Sequence, residues 1–161
     1  MMLAELCHKT GLVIAQVGVE TANEKVLREH KPGANLKKVV EGIRLFRSFG
    51  IMVGAHFIFG LPGDDDIGFS ETIKLAKNLD ISYASFNAYS PRVGSKLSSD
   101  AFEGLSFDPS TTDDDKLRAV LGRAYREFYM RPKYIASLLK FFVRPRIFFD
   151  IVRFGLGIVG R

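Results

Sequence analysis

Ile51-Met52-Val53-Gly54-Ala55-His56-Phe57-Ile58-Phe59, followed by Gly60-Leu61-Pro62-Gly63 and then Asp64-Asp65-Asp66, is the stretch on which the fold turns. The first nine residues are rich in β-branched and aromatic types and predict a strand over 51–59. Gly60 to Gly63 reads as a turn, since glycine and proline punctuate regular structure. The three aspartates that follow suit the start of a helix, whose dipole favours negative charge there. That helix is expected to run to about Leu79.

The same rhythm extends in both directions. A short helix is expected over Met1 to Lys9, with Leu3, Leu6 and Cys7 on one face, and Gly11 ends it. Leu12 to Val19 predicts a strand, and Asn23 to His30 a short helix capped by Thr21 or Asn23. Lys31-Pro32-Gly33 is a turn, and Asn35 caps a helix over Leu36 to Phe49, with Val39, Ile43, Leu45 and Phe46 at roughly helical spacing. A third strand is expected over Ile81 to Tyr89, then loop to about Thr111, then a helix to Met130 opened by a capping box of Thr112 and Asp115. Strands alternating with helices across short turns predict a parallel sheet with right-handed crossovers. Three strands are too few to close a barrel, so the chain reads as part of a larger sheet.

The strands themselves are two-faced. Val13, Ala15, Val17 and Val19 alternate with Ile14, Gln16, Gly18 and Glu20. Val53, Ala55, Phe57 and Phe59 alternate with Gly54, His56 and Ile58, while Ala84, Phe86 and Ala88 alternate with Ser85, Asn87 and Tyr89. One face suits cover by helices. The polar face is expected to line a shared interior or cleft, because polar groups buried without partners are costly. In α/β folds ligands gather at the carboxyl ends of strands, which puts Glu20, Gly60 and Asn87 to Pro91 forward as site residues. Taken singly these signals are ordinary: Glu20 also reads as an ion-pair partner, and His56 as a core histidine with its hydrogen bonds satisfied.

Composition narrows the function classes. The chain has 161 residues, 47% of them hydrophobic, which is enough for one folded core and excludes a disordered chain. The single cysteine, Cys7, excludes an internal disulfide and any site built from several thiolates. His8, His30 and His56 show no metal-ligand spacing, and the turn at Gly60 lacks the Lys and Ser/Thr of a phosphate-binding loop. Residues 1–115 carry 12 basic and 16 acidic groups, whereas residues 116–161 carry 11 basic and 2 acidic groups. The basic end contains a weak repeat, Arg131-Pro132-Lys133-Tyr134 echoed by Arg144-Pro145-Arg146-Ile147, read as two short amphipathic helices that pack on protein or lie on an anionic membrane surface. No secretory signal or run of about 20 apolar residues is evident, so a cytoplasmic location is expected, with peripheral attachment at the inner face of the membrane if the tail anchors.

Four ordered segments together resemble radical S-adenosylmethionine (SAM) enzymes. They are Gly11 with Val17-Gly18-Val19-Glu20-Thr21, Asn23 and Val26-Leu27; Lys31 with Gly33; Gly50-Ile51 with Phe57-Ile58-Phe59-Gly60-Leu61-Pro62-Gly63-Asp64 and Thr72-Ile73; and Pro91, Gly94-Ser95 and Leu97. The resemblance covers about residues 5–97 and is greatest to the cobalamin-type branch, which includes anaerobic cyclases and hopanoid- or lipid-modifying enzymes. It implies the C-terminal part of a partial (β/α) barrel over 1–100 and a basic helical extension over 101–161. The family's Cys-x-x-x-Cys-x-x-Cys is absent from the sequence, so the [4Fe-4S] cluster, and cobalamin with it, is expected in an upstream partner region.

By position the resemblance implies that Glu20 bonds the SAM ribose hydroxyls and that Thr21 assists. Ile58 would pack on adenine, Gly60 would admit backbone close to the cofactor, and Asn87 to Pro91 would border the adenine pocket. The family often has Gly where this chain has His56, which is kept as a cofactor-facing candidate. The implied chemistry is reduction of SAM to a 5′-deoxyadenosyl radical, or radical methyl transfer through cobalamin, on an apolar substrate such as a lipid or tetrapyrrole. No nucleic acid partner is expected, and this portion alone is expected to be inactive. Two alternatives are a non-catalytic module that binds a partner or membrane through 131–161, and a complete α/β enzyme using Glu20 or His56 as acid or base.

Overall fold

A computed structural model describes residues 2–90 and 113–136. In chain order the elements are α1 (Met2–Lys9), β1 (Ile14–Glu20), α2 (Glu24–His30), α3 (Leu36–Ser48), β2 (Met52–Phe59), α4 (Asp66–Asn78), β3 (Tyr83–Ala88) and α5 (Asp113–Tyr129). The chain is therefore α/β, as its alternation predicts. The strands form one parallel sheet in the order β1-β2-β3, consistent with part of a (β/α) barrel. β1 starts two residues later than expected and extends through Glu20, and β3 is shorter at both ends.

Local chemistry sets the element boundaries. Asn23 caps α2 by accepting from the amides of Lys25 and Val26, Asn35 caps α3 through the amide of Lys38, and Asp65 caps α4 through the amide of Gly68. Gly11 and Gly50 take positive φ at the ends of α1 and α3, where a side chain would be strained. The expected capping pair of Thr112 and Asp115 and the boundary at residue 100 involve residues outside those described.

The apolar strand faces form the core. Val53, Ala55, Phe57, Phe59, Ala84 and Phe86 are buried against Ile43 of α3 and Phe69 and Ile73 of α4. Phe57 stacks on Phe86 at 5.3 Å between ring centroids, and Phe59 meets Phe69 edge-on at 5.6 Å. α1 buries only Ala4, and Leu3 and Leu6 of its expected apolar face are 66% and 57% exposed. The helix forms where its sequence predicts, but its face has no cover among the described residues.

The two edges of the sheet differ. At β3 the Tyr125 hydroxyl of α5 donates to the Phe86 carbonyl at 3.1 Å and accepts from the Phe86 amide at 3.3 Å. Both outward backbone groups of Phe86 are thereby satisfied by one side chain. At β1 no strand or helix plays that part among the described residues, and Val13 at the strand's entrance is 64% exposed.

Residues 126–136 fall in a second compact unit. There Pro132 opens a helical turn over 132–136, as its position in the sequence predicts, and the Arg131 guanidinium lies 4.0 Å over the Phe128 ring. The rest of that first tail helix and the second one, expected from Arg144-Pro145, lie outside the described residues.

Replacing Tyr125 by Phe keeps the ring contact with Phe86 but leaves two backbone groups to water. Urea denaturation should show a loss of about 1 kcal/mol, with faster amide exchange at Phe86 than in the parent chain.

Candidate functional site

Register places the polar residues on one face. Gln16, Gly54 and Tyr83 align across the three strands, as do Gly18, His56 and Ser85, and Ile58 aligns with Asn87. The Tyr83 ring lies over Gly54, where an added Cβ would run into it. His56 Nε2 bonds Gln16 Oε1 at 2.8 Å; with the amide oriented this way Nε2 is the donor. Asn87 Nδ2 donates to Ser85 Oγ at 3.2 Å. This face is a row of hydrogen-bonding groups.

Its one charged pair sits at the end of β1. Glu20 Oε1 accepts from Lys31 Nζ at 2.9 Å, and the same ammonium lies 3.4 Å from the Gly18 carbonyl. A Cβ on Gly18 would strike both the Glu20 carboxylate and the Lys31 ammonium, so the missing side chain makes their room. The Glu20 side chain is 21% exposed and Lys31 51%, so the pair is open to a ligand and contributes little to stability. In the sequence Lys31 reads only as part of a turn and as a matched motif position; its charge inside a strand-end cleft is the usable signal. Beside it a pocket of about 310 Å³ is lined by Gly18, Val19, Leu27, Lys31, Asn35 and Lys38, among others.

The backbone at Glu20 is unusual. Glu20 has φ of 68°, the only positive value among the described residues other than glycine. The Thr21 amide donates to the Val19 carbonyl at 3.1 Å, closing a three-residue turn around Glu20, and the register with β2 slips between Gly18 and Glu20. Such a conformation costs a non-glycine residue about 1–3 kcal/mol and persists only where its surroundings impose it.

Those surroundings lie on the far side of the turn. Thr21 and Thr72 are fully buried. The Ala22 amide donates to Thr72 Oγ1 at 2.9 Å, and the two threonine hydroxyls are 3.2 Å apart. Thr21 Oγ1 donates to Asp64 Oδ2 at 3.3 Å and accepts from the Asn23 amide at 3.1 Å. Asp64 Oδ1 accepts from the Asp65 amide at 3.1 Å and from Asn23 Nδ2 at 3.4 Å. Gly68 of α4 is bare because a Cβ there would press into Asp64 and Asn23. The hydroxyl of Thr21, a sequence candidate, is thus taken up by this network.

The other sequence candidates lie along the same strand ends. Ile58 is half-buried on the polar face, and Gly60 takes φ of 82° immediately after β2. Asn87 is exposed near the end of β3, and Pro91 lies outside the described residues. Among the described residues no group of three His, Cys, Asp or Glu could hold a metal ion. No helix among them is long and apolar enough to cross a membrane.

Similarity to known proteins agrees with this geometry. The family model described as Radical SAM superfamily matches residues 2–76, the segment running from α1 through most of α4. This chain belongs to the radical SAM superfamily. It is similar to an uncharacterized methyltransferase of Pyrococcus horikoshii, 27% identical over 81% of this chain and 32% of the relative. It is also similar to an anaerobic magnesium-protoporphyrin IX monomethyl ester cyclase of Rubrivivax gelatinosus, 26% identical over 95% of this chain and 33% of that protein. A tRNA-2-methylthio-N(6)-dimethylallyladenosine synthase of Ruegeria pomeroyi is 32% identical over 70% of this chain and 25% of its own length. The radical SAM chain described here thus spans about a third or less of the relatives it matches.

Burial holds the Asp64 carboxyl above its ordinary pKa, against the lowering effect of its bonds from Asp65, Asn23 and Thr21. A carboxyl raised in the folded state binds its proton more tightly folded than unfolded. Its contribution to stability is therefore full in acid and is lost as pH rises through the folded value. Urea denaturation of the parent chain and Asp64→Asn at pH 7 and pH 4 checks this. The stability difference between them should move in favour of the parent on acidification.

Proposed function

We propose that this chain contributes the ribose and adenine side of a SAM site used for radical-based modification or methylation of an apolar substrate. The observation that carries the reading is the Glu20 carboxylate, held at the carboxyl end of β1 beside Lys31 and left partly open to solvent. A carboxylate has two oxygens that accept only, so it can take both hydroxyls of a ribose diol in charge-assisted bonds. Lys31 offers the opposite charge for the carboxylate of the methionyl part.

The chain's own residues fit the rest of the nucleoside. Ile58 gives the polar face a half-buried apolar side chain on which adenine could pack, and Gly60 at positive φ lets the backbone pass without a side chain. Asn87 and Ser85 offer amide and hydroxyl groups at the neighbouring strand end. His56, held by Gln16, lies on the same face of the sheet. Thr21 acts here through the position of Glu20, since its own hydroxyl is engaged. Beside a reduced cluster, bound SAM supplies a carbon-centred radical or a methyl group.

The [4Fe-4S] cluster does not fit this chain, whose single thiol can supply at most one ligand. We assign the cluster, and cobalamin with it, to a further protein region. The open edge of β1, with exposed Leu12, Val13 and Ile14, is the surface on which that region would add. Similarity to the anaerobic cyclase supports the cobalamin-type branch and a large apolar substrate.

Residue-resolved titration with S-adenosylhomocysteine tests the reading. Perturbed amides should cluster at Gly18, Glu20, Ile58 and Gly60, and Glu20→Gln should weaken binding about tenfold or more. Unchanged affinity in Glu20→Gln, or perturbations confined to other surfaces, would refute it.

A further inference from the structure

The geometry points to Thr72 and Asp64 as positioning residues that impose the left-handed backbone at Glu20 and so aim its carboxylate; the value of that aim rests on the SAM-site reading above. The bond from the Thr21 amide to the Val19 carbonyl closes the turn around Glu20, but a three-residue turn at positive φ is strained on its own, and the ion pair of Glu20 with Lys31 is exposed and weak. The three residues after Glu20 are each constrained. Thr21 is held through its hydroxyl, Ala22 through its amide and Asn23 through both amide and side chain.

The donors and acceptors run in one direction. The Ala22 amide donates to the Thr72 hydroxyl, that hydroxyl to Thr21, and Thr21 to the Asp64 carboxylate. Each hydroxyl has a single proton, so once Thr21 donates to Asp64 the bond between the threonines must be donated by Thr72. A buried chain of this kind loses all its members if one is removed, because each unpaired group is then stranded away from water. Thr72 stands on α4 and Asp64 on the loop before it, so the turn at β1 is fastened to elements more than forty residues away. Relaxing residue 20 toward the ordinary β region would draw Thr21 and Ala22 off these partners. Strain at one residue is held by three fixed neighbours.

The test uses the 161-residue chain without ligand and reads the backbone at residue 20 from its amide-to-Hα coupling by NMR. The parent chain and Thr72→Ser, which keeps the hydroxyl, should show the left-handed value. Thr72→Val, which keeps the shape and removes the hydroxyl, should shift residue 20 to the extended value while amides of β2 and β3 stay in place. Asp64→Ala, which removes the acceptor of the Thr21 hydroxyl, serves if the valine variant does not fold, and should show the same shift. Residue 20 remaining left-handed in the folded variant would overturn the inference. Binding of S-adenosylhomocysteine separates the two readings: a shifted turn with binding weakened about tenfold or more supports both. A shifted turn with unchanged binding keeps the positioning role and removes Glu20 from the SAM site.

Discussion

The hydrogen-bond chain from Ala22 through Thr72 and Thr21 to Asp64 is the constraint on which the site depends. It ties the exit of β1 to the loop after β2 and to α4. Because it is buried, its bonds are stronger and their loss more costly than those of the exposed pairs on the helices. It leaves Glu20 in a conformation that glutamate does not adopt unaided, with the carboxylate turned onto the polar face beside Gly18. Remove the chain, and the strand end becomes an ordinary loop with an exposed acid.

The sheet divides its labour by face. Phe57, Phe59 and Phe86 hold the layers together by burial and ring contact on one side. Gln16, His56, Tyr83, Ser85 and Asn87 make the other side a hydrogen-bonding face that leads to the ion pair of Glu20 and Lys31. Among the described residues Tyr125 meets the outward backbone groups of Phe86 at β3, while the edge of β1 has no such partner.

Much of this is legible in the sequence. Strand alternation at 51–59 gives away both faces, and Asn23 and Asn35 mark their helix starts because a short polar side chain before an apolar period has few other uses. The ordered segments around Glu20 and Gly60 carry the family. The turn at Glu20 is not legible, since positive φ is read from glycine and this residue is not one. Thr72 reads as an ordinary helix residue because its partners are about fifty positions distant. Tyr125 gives no sign that it closes the edge of β3, a contact set by how α5 lies against the sheet. The exposed face of α1 shows the converse, an apolar pattern whose cover is not among the described residues.

The central claim is that the strained turn presents Glu20 to a ribose. A crystal structure of the chain with S-adenosylhomocysteine tests it most directly. The account predicts both ribose hydroxyls within hydrogen-bonding distance of the Glu20 carboxylate, with residue 20 still at positive φ. A nucleoside seated elsewhere, or one in the cleft that leaves Glu20 paired only with Lys31, would contradict it.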